Sequence, residues 1–160
     1  MTVVTKDHNI IKQFYQAFER LDGDHMAACY HNHITFTDPA FGTLRGEDAK
    51  NMWRMLCSSQ QGKDFKVKAS SIQISEDKGS AHWEAYYSFG KEKRKVHNII
   101  NAQFEIKNGK IIKHIDDFDL YRWSKQAMGM KGYLMGWTGF FQKKLQEQTQ
   151  IRLQDFTNKR

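Results

Sequence analysis

The chain has 160 residues, of which 39% are hydrophobic and 27% charged, with a net charge of +7 at pH 7. That length suits one domain large enough to bury a core, and that balance suits an ordinary globular chain rather than a disordered or fibrous one. The longest greasy patch, Tyr133 to Phe141, falls far short of the roughly 20 residues of a membrane helix, so no membrane partner is expected.

The opening stretch MTVVTKDHNIIKQF carries an early acid and no long apolar run, so no secretory signal is expected. Cys29 and Cys57 show no CxxC pairing, which points to a reduced, cytoplasmic chain. The basic excess raises the question of nucleic acid. Its densest run, Lys91-Glu-Lys-Arg-Lys95, falls where a hairpin should turn, and the other cations gather between Lys143 and Arg160. No nucleic-acid-binding signature accompanies them, so no nucleic-acid partner is expected.

In chain order, Asp7 to Leu21 sets Ile10, Ile11, Phe14, Tyr15, Phe18 and Leu21 at helical spacing. Asp22-Gly-Asp24 ends that helix and caps a short second one through Tyr30. Ile34 to Thr37 reads as a short strand stopped by Asp38-Pro39, and Gly42 and Gly46 bracket a loop. Glu47 and Asp48 open a third helix that buries Ala49, Met52, Trp53 and Leu56. From Asp64 the period changes to two. Strands are predicted over about 65–75, 80–89, 96–107 and 110–123, with a bulge in the first where apolar parity changes between Ala69 and Ile72. Asn108-Gly109 is a strong two-residue hairpin signal. A final helix follows from about Thr138. Helices first and an antiparallel meander after them define an α+β class.

The last predicted strand holds the chemistry. His114-Ile-Asp-Asp-Phe-Asp119 packs three carboxylates and a histidine into six residues, although aspartate is depleted in strands. Its even positions, Ile112, His114, Asp116, Phe118 and Leu120, mix one acid and one histidine with apolar residues. If that face is inside, Asp116 must be paired or neutralised, and an inward acid of this kind is suited to proton transfer. His114, on the same face, would orient it or pair with it. Asp117 and Asp119 suit a wet face. His31-Asn-His33 with His25 has no third ligand at fixed spacing, and no HExxH is present, so no metal is expected. No phosphate-binding glycine loop occurs, and no cofactor is expected.

Three stretches together carry a resemblance: the N-terminal LDGD…ACYHNHITF, the element TDPAFGTLRGEDA, and the hairpin NAQFEIKNGKIIKHIDDFDLYRW. They resemble the nuclear transport factor 2-like superfamily in its SnoaL-like branch, which also holds ketosteroid isomerases, polyketide cyclases and limonene-epoxide hydrolases. The resemblance covers about residues 7 to 128. It implies a cone of helices on a curved antiparallel sheet enclosing an apolar pocket, commonly as a homodimer. The expected organisation is a domain over residues 1–128 with 129–160 as its C-terminal helical extension. The isomerases place their general base at an Asp-Pro element, which Asp38-Pro39 resembles. Their second acid falls here on Asn101, an amide that can still donate a hydrogen bond, and their donor tyrosine falls nearest Tyr15. The epoxide hydrolases end their sheet in Asp-Tyr-Phe-Asp, which Asp116-Asp-Phe-Asp119 resembles. Their Arg-x-Asp pair falls near His82-Trp-Glu84. The cyclases keep an acid seven residues before a glutamine, similar to Asp119 and Gln126.

The resulting expectation is a cofactor-independent enzyme acting on a small hydrophobic molecule by general acid–base chemistry: isomerisation, cyclisation or water addition. Asp116 and Asp38 titrate, His114, His82 and Glu84 tune or orient them, and Asn101 donates to a substrate oxygen. Phe14, Tyr15, Tyr30, Trp53, Phe118 and Ile99 line the pocket. The alternative is a non-catalytic small-molecule-binding or dimerisation module of the same fold. One fold hosts many sites, so the reaction is not fixed by the resemblance.

Overall fold

A computed structural model describes residues 9–160. The start of the predicted first helix, including Asp7, lies outside the described residues. Helix α1 (Ile10–Glu19) begins where the Asn9 side chain accepts from the Lys12 amide, and it buries Ile10, Ile11, Phe14, Tyr15, Ala17 and Phe18 along one stripe. Helix α2 (Gly23–Ala28) is capped by Asp22, which accepts from the His25 amide. Helix α3 (Glu47–Gln60) carries Glu47 and Asp48 in its first turn and buries Ala49, Met52, Trp53 and Cys57.

These helices lie on one face of a six-stranded sheet. The strands are β1 (Tyr30–Asp38), β2 (Gly42–Arg45), β3 (Lys66–Ser75), β4 (Lys78–Phe89), β5 (Arg94–Lys107) and β6 (Lys110–Asp117), in the order β2-β1-β6-β5-β4-β3. Neighbours are antiparallel except β1 and β6, which run parallel. The sheet is curved and unclosed, and the architecture is α+β. Its concave face holds the main core, where Phe14, Phe18, Phe36, Met52, Ile100 and Ile111 are fully enclosed. The predicted bulge is present: the β3–β4 register shifts between Ser70 and Gln73, and Ser71 takes a positive φ of 52°. Asn108 and Gly109 both have positive φ, as a primed two-residue turn requires.

Several elements differ from the sequence expectation. Residues 42–45 form β2, which hairpins back on β1, in place of a loop. The second helix stops at Ala28, and Tyr30 opens a first strand longer than predicted. The last strand ends at Asp117. Asp119 accepts from the Arg122 amide at 2.9 Å and caps helix α4 (Leu120–Met128), which buries Trp123, Ser124 and Ala127. A side-chain cap and a helical apolar stripe here override aromatic strand propensity. On β6 the inward set is Ile111, His114 and Asp116 in place of Ile112, because the register shifts opposite Glu105 and Ile106. Helix α5 (Met130–Met135) and helix α6 (Gly139–Asn158) complete the chain. Helix α6 begins where predicted, and the Thr138 hydroxyl caps it by accepting from the Phe141 amide. Leu153 joins the main core, while Phe141 and Leu145 pack on the smaller cluster of Val96, Trp123 and Ala127.

Candidate active site

Asp116 points into the concave face with 3% of its surface exposed, and His114 beside it has none exposed. Both sit at alternate positions of β6, so the pleat turns them the same way. His114 Nε2 lies 2.7 Å from Asp116 Oδ1, and Trp83 Nε1 donates to the same oxygen at 3.2 Å. Trp83 reaches across from β4 because the residue between them on β5, paired with Asp116, is the small Ala102. On the far side of the imidazole, Nδ1 lies 2.7 Å from the Tyr30 hydroxyl, which itself accepts from Trp53 Nε1 at 2.7 Å.

Indole N–H groups only donate, so Trp53 donates to the Tyr30 oxygen and Trp83 to Asp116. In the Nε2–H tautomer His114 donates to Asp116 and accepts at Nδ1 from the Tyr30 hydroxyl. Every group is then satisfied. Burial, with the nearby Asp116 as a second cause, pushes the Tyr30 hydroxyl well above the usual range, which keeps its proton in place to donate. Aromatic rings enclose the imidazole: Trp53 lies parallel at 6.0 Å, Phe104 at 4.3 Å, Phe36 at 5.1 Å and Phe14 at 5.5 Å. The Tyr15 hydroxyl is buried within this shell and has no hydrogen-bond partner. Burial foremost, and then Asp116, raises its pKa well above normal.

Asp38 closes the site from the parallel neighbour. The β1–β6 register ends at Thr37 opposite Ile115, which puts Asp38 alongside Asp116. Its Oδ1 accepts from the amides of Ala40 at 2.9 Å and Phe41 at 2.6 Å, the turn that Asp-Pro initiates. Asp38 keeps a partly exposed edge, but dense protein around the carboxyl pushes its pKa up to about 7. Desolvation is the largest cause, the two amide bonds oppose it, and the charge of Asp116 reinforces it. Helix α6 holds the same turn from outside: Gln142 and Gln146 donate to the Pro39 carbonyl, Thr149 to Ala40 and Gln150 to Phe41.

The structure thus brings together Asp116, Asp38, His114, Phe14, Tyr15, Tyr30 and Trp53. Phe118, just past β6, is partly buried between the two clusters. His82, Glu84, Asn101 and Ile99 are elsewhere. Because Trp83 and Ala85 of β4 and Ile100 and Ala102 of β5 face inward, these four lie on the outer face of the sheet. There Glu84 receives His97 Nε2 at 2.7 Å and His82 Nε2 at 3.4 Å, and His82 Nδ1 meets Asn101 Oδ1 at 3.0 Å. The hydrogen bond from His97 is the main reason the Glu84 carboxyl lies below its usual range.

Two participants escaped sequence reasoning. Trp83 was legible as an inward residue, but nothing local tied it to Asp116. His97 shares the outer parity of β5, and only strand pairing sets it beside Glu84. Among the described residues no group of three His, Cys, Asp or Glu side chains is arranged to hold a metal.

A curved six-stranded sheet wrapped on helices is the cone fold of nuclear transport factor 2-like proteins. Residues 11–114 match the SnoaL-like domain, and the chain belongs to that family. Among solved structures it is similar to an LEH-like epoxide hydrolase from M. tuberculosis, with 23% identity and a TM-score of 0.57, over 79% of this chain and 88% of that one. It is also similar to a putative polyketide cyclase from Xanthomonas campestris pv. campestris, with 16% identity and a TM-score of 0.57, over 73% and 93% of the two chains. A protein of ketosteroid isomerase-like fold from Catenulispora acidiphila, in complex with trimethylamine, shares 11% identity with a TM-score of 0.61 over 74% and 92%. No curated protein matches the sequence.

Proposed function

We propose that this chain is a cofactor-independent enzyme that uses general acid–base chemistry on a small hydrophobic molecule. The observation that carries this reading is the pair Asp38 and Asp116 on adjacent parallel strands, one with its pKa pushed up to about 7 by burial and the other hydrogen-bonded to His114 and Trp83. A carboxyl titrating near working pH is suited to both accept and return a proton. Asp38 is the residue with a solvent-facing edge, so it is the group that meets substrate first. It removes a proton from a carbon acid or a water molecule and returns it later in the cycle. Asp116, steadied by His114 and Trp83, presents its carboxyl beside the reacting centre. The unpartnered Tyr15 hydroxyl is a free donor for a substrate oxygen, and the aromatic shell supplies apolar contact.

The epoxide hydrolase and polyketide cyclase among the similar structures support an enzyme of this class, which leaves isomerisation, cyclisation and water addition as the candidate reactions. His82, Glu84 and Asn101 have no part in this mechanism, because they face the other way. A cytoplasmic homodimer is the proposed setting: both cysteines are buried and free, and Tyr86, Ile99 and Ile115 leave apolar surface on the outer face.

The test is turnover of a panel of small epoxides and enolisable ketones by the full chain and its variants. Asp38→Asn is expected to lower kcat by about 10²–10⁴-fold, the usual worth of a positioned base. Glu84→Gln is expected to leave kcat unchanged. The second reading, a binding module, is favoured by how completely Asp116 and His114 are enclosed. It prevails if ligands bind but Asp38→Asn and Asp116→Asn change no rate.

A further inference from the structure

The longest greasy stretch of the sequence has no place in the site, and the structure turns it outward. Helix α5 packs on α4 through its glycines. A Cβ on Gly132 would collide with the Ser124 carbonyl, and one on Gly136 with the Ser124 hydroxyl. The Tyr121 hydroxyl ties down the Tyr133 carbonyl at 3.0 Å. The helix therefore buries small residues and presents large apolar ones. Met130 is 74% exposed, Leu134 67% and Trp137 70%, with Tyr133, Met135 and Phe140 also exposed. Amphipathic helices on globular domains normally do the reverse, and a patch of this kind on a folded protein marks an interaction surface.

Charge identifies the partner. Between Asp119 and Glu147 the sequence holds Arg122, Lys125, Lys131, Lys143 and Lys144 and no acid. Lys131, Lys143 and Lys144 are exposed, Lys144 with Glu147 at 3.7 Å, and Lys125 lies over the Tyr121 ring at 4.4 Å. Next to the patch a cleft reaching Tyr133 is lined by Arg94, Lys95, Arg122 and Lys125, against two acids, Glu92 and Asp119. A second copy docked through the same patch on a two-fold axis would set these cations against themselves. Trp, Tyr and Phe ringed by lysines match the interface of an anionic bilayer, where aromatic rings sit at headgroup depth and cations meet lipid charge. No helix among the described residues is long and apolar enough to cross a membrane, and attachment to a surface does not need one.

We infer that the α5 turn, from Met130 to Phe140, is a docking surface for anionic lipid membranes. It is independent of the catalytic reading. Trp137 provides the measurement, since Trp53, Trp83 and Trp123 are all buried. The full chain is mixed with vesicles of phosphatidylcholine alone or with added phosphatidylserine, some carrying brominated acyl chains. The expected results are co-sedimentation with the anionic vesicles, weakening at high salt, and quenching of Trp137 by bromine. Leu134→Ala with Trp137→Ala is expected to lower partitioning at least about tenfold, and Lys131→Glu with Lys143→Glu to abolish the preference for phosphatidylserine. Failure to bind either vesicle at low salt overturns the proposal. So does concentration-dependent self-association that shields Trp137 from acrylamide, which would assign the patch to a second copy.

Discussion

Asp116 and Glu84 are built alike and placed oppositely. Each carboxylate receives two ring nitrogens: His114 and Trp83 for Asp116, His97 and His82 for Glu84. One cluster lies on the concave face among aromatic rings, the other on the outer face, where Glu84, His82 and His97 each keep about a third of their side chains in solvent. The chemistry of a site is set less by the side chains in it than by the medium around them. Water screens Glu84 and makes its pairs replaceable. Around Asp116 each lost partner leaves a polar group with nothing to bind.

That contrast is best broken from the inside. His114→Ala leaves a buried carboxylate without its closest partner and is expected to cost about 3–5 kcal/mol in urea unfolding. If Glu84→Gln costs as much, the two faces are equivalent and burial is not what separates them. Trp83→Phe keeps the ring and removes one donor to Asp116, with an expected loss of about 1.5–3 kcal/mol in the same measurement. A smaller effect would mean that solvent reaches Asp116 after all.

The acid pair itself offers a finer probe. The carboxyl carbon of Asp38 is expected to titrate near pH 7 by NMR, and the midpoint should fall in Asp116→Asn, where one of its lesser causes is gone. Because the folded pKa lies above the unfolded one, the contribution of Asp38 to stability is most favourable below about pH 4. It is lost as pH rises through about 7. Asp38→Asn should flatten that decline. The smallest expected effect is at Glu84, whose lowered pKa gives stability that is present above the unfolded value and lost as pH falls through the folded one. Added salt should move the Glu84 midpoint back toward normal and leave that of Asp38 nearly fixed.

Much of this contrast is legible in the residue pattern alone. Alternation along β4 and β5 separates Trp83 and Ile100 from His82, Glu84 and Asn101, so the outer position of the latter three is implicit in their parity. Family patterns pull them toward the site against that parity, and the parity prevails. The inward turn of His114 and Asp116 is legible from apolar neighbours two residues away, even though Ile111 takes the place of Ile112 at a register shift. The end of β6 is not legible, because Phe118, Tyr121 and Trp123 favour a strand and the cap at Asp119 competes with them.

The sequence by itself determined the α+β order, the bulge, the hairpin at Asn108-Gly109 and the acid on the inner face. These follow from periodicity and turn chemistry, which act over a few residues. Only the tertiary structure decided that Tyr30 and Trp53 complete the chain behind His114, that Trp83 reaches Asp116 over Ala102, and that α5 rests on glycines with Trp137 outward. Such contacts join residues tens of positions apart, and strand order, register and close helix packing fix them where no local pattern does.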